Sequence, residues 1–279
     1  MTDDLRAKVS RAVAHFWRTR DRQLKNQGSK SGQRDQGSRG AVTGGKQLDG
    51  FIKLVRELLT GAGLPDAAIR QKEATLPGYF RATKEWDLLV VADANLIATL
   101  EFKSQVGPSF GNNFNNRTEE AIGSATDLWM AHREGAFKDS IRPWLGYFMM
   151  LEDTKGSTSP VSVKEPHFPV FPEFKGSSYA KRYELLCLRL VRERLYDGAC
   201  FLLSPREAGK RGRFVEPNDE ISFARFASSL TGHAAGYARL RKEARAVTTP
   251  GRLRPIGLLS HLLWMSWCGL RSVYFFGVL

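Results

Sequence analysis

Residues 86–103, WDLLVVADANLIATLEFK, constrain the fold of this chain more than any other stretch. Two apolar runs flank Asp93-Ala94-Asn95, a triplet of turn-forming character. Consecutive apolar residues on both arms predict a hairpin whose strands are covered on both faces, not a ribbon with one wet side. With Ala94 at its centre, Asp87 lies seven residues before and Glu101 seven after. That register makes them cross-strand neighbours with Cβ atoms about 5 Å apart. Lys103 shares the face of Glu101, because side chains alternate along a strand. A slip of one residue would scatter all three.

The rest of the chain supplies the surroundings of this hairpin. Leu48, Phe51, Ile52, Val55, Leu58 and Leu59 follow the spacing of one helix face, which ends in the stretch 61–65. Asn116 with Glu119 resembles a capping box, and Ala121, Ile122, Ala125, Leu128 and Trp129 continue with helical period. WLGYFMML at 144–151 and CFLLS at 200–204 read as strands, and Ser178 opens a helix carrying Tyr183, Leu186, Leu190 and Leu195. The order predicts an α/β architecture of the α+β kind, a mixed sheet flanked by helices. Three parts are expected: an N-terminal helix and basic mobile loop at 1–46, a main domain at 47–247, and an atypical apolar C-terminal tail at 248–279. The first residues read as a short amphipathic helix and not as a secretory signal. Residues 18–46, rich in Gly, Ser, Gln and Arg, read as the mobile loop, either a solvated linker or an arm that orders on a polyanion.

Charge narrows the function classes. Lys and Arg number 42 against 29 acidic residues, a net +13, so nucleic acid or an acidic membrane surface is the natural partner. Cys187, Cys200 and Cys268 are widely spaced and odd in number, which supports neither a disulfide framework nor a zinc site and fits a reducing cytoplasm. His132, His167 and His233 show no ligand spacing, and Trp86 and Trp129 suit a core better than base stacking.

Two carboxylates and an ammonium at one end of an apolar hairpin are costly unless something binds them. Asp87 and Glu101 could hold Mg2+, a hard cation that prefers oxygen and keeps several waters. Lys103 could orient water or stabilise charge developing on a phosphate. The same trio also suits a structural ion pair at a strand end. SQVGPSFGNNFNNR at 104–117 follows directly. Its glycines allow close backbone approach, and Asn112, Asn113, Asn115, Asn116 and Arg117 are candidate DNA contacts, since asparagine pairs with adenine and arginine with guanine. The alternative is a turn-rich loop with Asn116 only capping a helix. Lys210, Arg211 and Arg213 suit phosphate contact or a solvated loop equally.

PGYFRATKEWDLLVV, LEFKSQVGPSFGNNFNNRTEEAIGSA, WLGYFMMLED, EPHFPVFPEF and RYELLCLRLVRERLYDGACFLLS together resemble the XhoI-type restriction endonucleases over roughly residues 1–240. The resemblance implies a PD-(D/E)xK nuclease fold, a Mg2+ cofactor, a homodimer, and cleavage of double-stranded DNA within CTCGAG to leave 5′ overhangs. It also implies a companion DNA methyltransferase. The family's metal-binding acids fall on Asp87 and Glu101 and its catalytic lysine on Lys103, while Trp86 stands where the wider superfamily often carries proline. An acidic residue on the first core helix assists the metal in related nucleases, which points to Glu57 or Asp49.

From Thr248 the resemblance fades into a long apolar stretch interrupted by Arg271. It suits a C-terminus foreign to the family, a docked element, or, least well, membrane contact. Two rival functions stay open: an inactive DNA-binding protein on the same fold, and a nuclease that recognises repair or junction structures.

Overall fold

The computed structural model describes residues 1–28, 46–138 and 140–248. Contacts group Met1–Arg241 into one unit and Lys242–Leu279 into another. The first unit is built on a five-stranded mixed sheet. Its strands run in the order β1 (Ile69–Arg70), β4 (Leu88–Ala92), β5 (Asn95–Gln105), β6 (Trp144–Glu152) and β7 (Gly198–Ser204). The first three are antiparallel to their neighbours, and β5, β6 and β7 are parallel. A separate pair, β2 (Thr75–Pro77) and β3 (Thr83–Glu85), precedes the hairpin.

Helices cover both faces of the sheet, as the continuous apolar runs require. On one face α1 (Asp3–Gly28), α2 (Asp49–Gly61) and α5 (Phe223–Thr248) bring Val13, Phe16, Trp17, Phe51, Val55, Phe226 and Leu230 against Leu88, Val90, Leu100, Phe102 and Phe148. On the other, α3 (Phe110–Arg133) and α4 (Tyr179–Arg192) bring Ala125, Leu128, Tyr183, Cys187 and Leu190 against Leu89, Tyr147, Met149 and Phe201. Each such side chain contributes about 1.5–3 kcal/mol by leaving water.

Two helices start or stop elsewhere than the sequence pattern predicts. Helix α1 continues to Gly28, past the Arg18 boundary expected for the loop. Thr19 is buried and accepts from Arg22, one turn on, at 3.1 Å. Residues 29–45 of the expected loop lie outside the described residues. Helix α3 begins at Phe110, not at Asn116, with Ser109 at its N-cap. The ring of Phe110 is buried, and its anchoring starts the helix before the asparagines, leaving Asn116 within the second turn.

The hairpin carries the decisive detail. Its tip is a two-residue turn, Asp93 and Ala94, both with positive φ (50° and 61°), so its centre lies between them and not on Ala94. From that centre Asp87 would face Leu100. The register shifts between Val90 and Val91, leaving Ile97 as the extra residue of a β-bulge. Ile97 and Ala98 consequently enter the same core cluster. Beyond the bulge Val90 faces Ala98 and Leu88 faces Leu100, and the next position in that register aligns Asp87 with Glu101.

Helix α5 fastens this irregular tip. His233 Nε2 donates to the carbonyl of Ile97 (3.0 Å), Tyr237 Oη donates to the carbonyl of Ala92 (2.9 Å), and Arg241 pairs with Asp93. These three are four residues apart and so line one helix face. Among the described residues no helix is long and apolar enough to cross a membrane, and the apolar tail beyond residue 248 lies outside them.

Tyr237→Phe removes one partly exposed hydrogen bond and should cost about 1 kcal/mol. His233→Ala leaves the Ile97 carbonyl unpaired in a buried setting and should cost about 1–3 kcal/mol. Urea denaturation of both variants checks the order, which reverses if α5 does not restrain the bulge.

Candidate active site

The hairpin's open end, the start of α3, and parts of α1 and α2 enclose a cleft of about 950 Å3. Asp87, Glu101 and Lys103 all line it. Glu101 is 5% exposed and pairs through Oε1 with Lys103 Nζ, while Oε2 lies 3.2 Å from Lys84 Nζ. That second contact lacks hydrogen-bond geometry, so Glu101 Oε2 is a buried carboxylate oxygen with no hydrogen bond. Asp87 accepts from the Phe102 N–H through Oδ2 at 2.7 Å, which ties the start of β4 to β5.

Electrostatics follow from this crowding. Burial, and then the charge of Glu101, hold the Asp87 carboxyl above the usual carboxylate range, and Lys103, the Phe102 N–H and Lys84 offset this only partly. Burial alone would push the Lys103 ammonium down, but Glu101 and Asp87 outweigh it and hold it above its ordinary value. Lys103 is therefore a cation at neutral pH, suited to donate hydrogen bonds and not to take a proton. Two adjacent carboxylates, one with an unpaired buried oxygen, fit a hard divalent cation that fills its remaining positions with water. Among the described residues no group of three or more His, Cys, Asp or Glu side chains is placed to hold a metal ion together.

The remaining candidates divide by position on α3. Asn113 and Arg117, one turn apart, line the cleft. Asn113 donates to the Ser109 carbonyl at 2.8 Å, and Arg117 pairs with Glu120 at 2.5 Å. Asn112, Asn115 and Asn116 are exposed and do not line the cleft. Asp49 lines the cleft, with Gln71 3.4 Å away, whereas Glu57 is exposed and outside it. Lys210 pairs with Asp21 and Glu207, away from the cleft walls. Trp86 is 3% exposed beneath Lys84, whose ammonium sits 4.5 Å from its ring centre. His233 is occupied by Ile97, and the described cysteines Cys187 and Cys200 are free and buried.

Sequence reasoning missed four cleft cations, Arg20, Lys46, Arg81 and Lys84. Lys84 sits on β3, three residues before Asp87, in a strand too short to show a pattern. Arg20 lies in the span read as loop, yet the helix carries it into the cleft wall, where its buried Nε has no hydrogen-bond partner. Among the described residues, six basic side chains (Arg20, Lys46, Arg81, Lys84, Lys103, Arg117) and six acidic ones (Asp49, Glu85, Asp87, Glu101, Glu119, Glu120) line the cleft, so this described lining is formally neutral although the chain is strongly basic.

Comparison with known proteins gives this arrangement its context. Residues 27–216 match the model of the family described as Restriction endonuclease XhoI. The type II restriction enzyme BstVI of Geobacillus stearothermophilus is 54% identical over 213 residues, covering 74% of this chain and 95% of that one. The type II restriction enzyme XhoI of Xanthomonas vasicola is 48% identical over 182 residues, 64% of this chain and 72% of that one. AbrI of Azospirillum brasilense, also a type II restriction enzyme, is 53% identical over 167 residues, 59% and 74% respectively. No solved structure matches the chain. Sheet, cleft and kinship together define a type II restriction enzyme. Within that class, the chain belongs to the XhoI restriction endonuclease family.

A carboxyl held above its ordinary value of 3.8 keeps its proton to higher pH in the folded state than in the unfolded one. Its contribution to stability falls as pH rises from the ordinary carboxylate value through the raised one, and at neutral pH the ionised Asp87 opposes folding. Without metal, Asp87→Asn should therefore raise Tm at pH 7, and 1 kcal/mol corresponds to about 2–4 °C in a chain this size. Calorimetry in chelator tests this: a lower Tm would mean that the carboxylate is already compensated.

Proposed function

We propose that this enzyme is a Mg2+-dependent endonuclease of the PD-(D/E)xK fold that cuts duplex DNA within CTCGAG to leave 5′ overhangs. The observation that carries the reading is the convergence of Asp87, Glu101 and Lys103 in one cleft, within a chain kin to type II restriction enzymes. Charge balance of the described lining adds to it: a phosphodiester entering among six basic and six acidic side chains gains little net attraction unless further positive charge is supplied. Asp87 and Glu101 would hold the magnesium ion, which when bound lends that charge to the phosphate and acidifies water.

The protein's own groups do the rest. Glu101 holds Lys103 in place, and the ammonium donates to oxygen on which negative charge develops as water attacks phosphorus. One phosphorus–oxygen ester bond breaks, leaving a hydroxyl on one fragment and a phosphate on the other. Lys84 places a second positive charge 3.2 Å from the other oxygen of Glu101. Arg117 and Asn113 line the same space and are the helix α3 residues suited to contact the duplex, ahead of Asn112, Asn115 and Asn116, which do not line it.

Each chain carries one such cleft and cuts one strand, so a palindrome calls for a homodimer with a two-fold axis. A partner methyltransferase protecting the same palindrome, and residence in a cytoplasm that keeps Cys187 and Cys200 reduced, belong to this reading. The division into an N-terminal segment at 1–46, a nuclease domain at 47–247 and a tail at 248–279 belongs to it as well.

A plasmid with one CTCGAG site, incubated with the protein and Mg2+, should become linear. DNA that is retarded but intact would instead mark an inactive binder, and cutting governed by branch structure would mark a repair nuclease. Lys103→Ala should lose turnover by about 100-fold or more while its Tm still rises with added Mg2+. Full turnover in that variant would remove the lysine from the mechanism.

A further inference from the structure

Beside the cleft, the turn joining β2 to β3 exposes two large aromatic side chains, Tyr79 (51% exposed) and Phe80 (69%). Their rings meet edge to face at 5.0 Å. Such residues at a loop tip would ordinarily be free to fold back, but this turn is held from within. The N–H groups of Tyr79 and Phe80 both donate to Oδ1 of Asp127 at 2.7 Å, and Arg81 Nε donates to Oδ2 of the same carboxylate at 2.7 Å. Asp127 lies on α3, one turn beyond the cleft-lining Ser124, and is 3% exposed. Gly78 closes the turn so tightly that a Cβ there would come within 2.6 Å of Asp127 Oδ2 and of the Arg81 carbonyl.

A buried charged carboxylate is thus committed to fixing the backbone of a tip whose side chains face water. Burying that charge is unfavourable by itself, and exposing two aromatic rings adds nothing to folding. The arrangement makes sense for a preorganised contact, which loses little freedom on binding. Position selects the partner. Arg81, the next residue, lines the cleft, and Lys84 in the adjoining strand reaches Glu101. The tip thus adjoins the cleft through Arg81, and the chain carries +13.

We propose that Tyr79 and Phe80 form an apolar reading tip that rests against sugars and base edges of the duplex next to the scissile phosphate. The inference rests on the nuclease reading above and assigns to that site a contact independent of phosphate charge. Aromatic side chains contribute to DNA recognition through van der Waals contact with base edges and methyl groups, which carries no counterion release. The tip therefore adds affinity and orientation that salt does not screen, while Arg20, Arg81 and Arg117 supply the part that salt weakens.

The test is kcat/KM on a CTCGAG duplex with Mg2+, measured across a range of salt concentrations. Tyr79→Ala/Phe80→Ala should lower kcat/KM about tenfold, corresponding to 1.4 kcal/mol, with an unchanged slope of log kcat/KM against log salt and an unchanged Tm. Equal activity of variant and wild type would overturn the inference. A reduced slope would do the same, since it would trace the loss to phosphate contacts. So would a shift from dimer to monomer in sedimentation, which would make the occupant of the tip a second copy of the chain. If the double variant does not fold, Phe80→Ser alone, at the more exposed position, gives the same readouts. Wild-type protein that cuts no duplex at all would instead overturn the nuclease reading, so the two failures are distinguishable.

Discussion

One extra residue in a strand decides which side chains line the cleft of this protein. Ile97 bulges from β5, and beyond it the pairing of β4 with β5 advances by one position. Side chains alternate across a sheet, so a shift of one residue exchanges its faces. Without the bulge, Glu101 and Lys103 would take the side that holds Leu100 and Phe102, within the core of α1, α2 and α5. With it, both acids and the lysine line the cleft. An irregularity that reverses the facing of a carboxylate must itself be held, and the row His233, Tyr237 and Arg241 on α5 holds both the bulge and the tip.

The site this creates is a balance of opposed costs. Two carboxylates are brought together with one in a buried position, and Lys103 and Lys84 flank Glu101 on either side without giving its Oε2 a hydrogen bond. The described lining of the cleft is formally neutral, although the chain carries a large positive excess. Long-range attraction of a polyanion and local readiness for a cation are therefore separate properties: the first belongs to the chain's overall charge, the second to a handful of matched side chains.

Asp127 shows a further use of the same economy. The side of α3 that packs on the sheet supplies a buried carboxylate that shapes the turn before β3, while a neighbouring side of the helix presents Asn113 and Arg117 to the cleft. One helix thereby positions two walls of the site. Its N-terminal asparagines looked from sequence like members of a loop, and they instead lie in the first turns of the helix, where Asn113 lines the cleft.

Much was legible in the residues themselves. The hairpin, the helix over 49–61, the strands around 144–151 and 200–204 and the helix opened by Ser178 are each determined by local apolar pattern and turn chemistry, which act over a few residues. The types of the chemical groups, and their seven-and-seven spacing about Ala94, were also present in the chain. Tertiary structure alone decided that the turn is centred half a residue earlier and that a bulge restores the alignment. It also carried Arg20 into the cleft on an extended α1, and fixed the aromatic tip through a carboxylate 47 positions from Phe80. Those outcomes depend on partners distant in sequence, whose contacts exist only once the helices have docked, and no local periodicity encodes a hydrogen bond between a histidine at 233 and a carbonyl at 97.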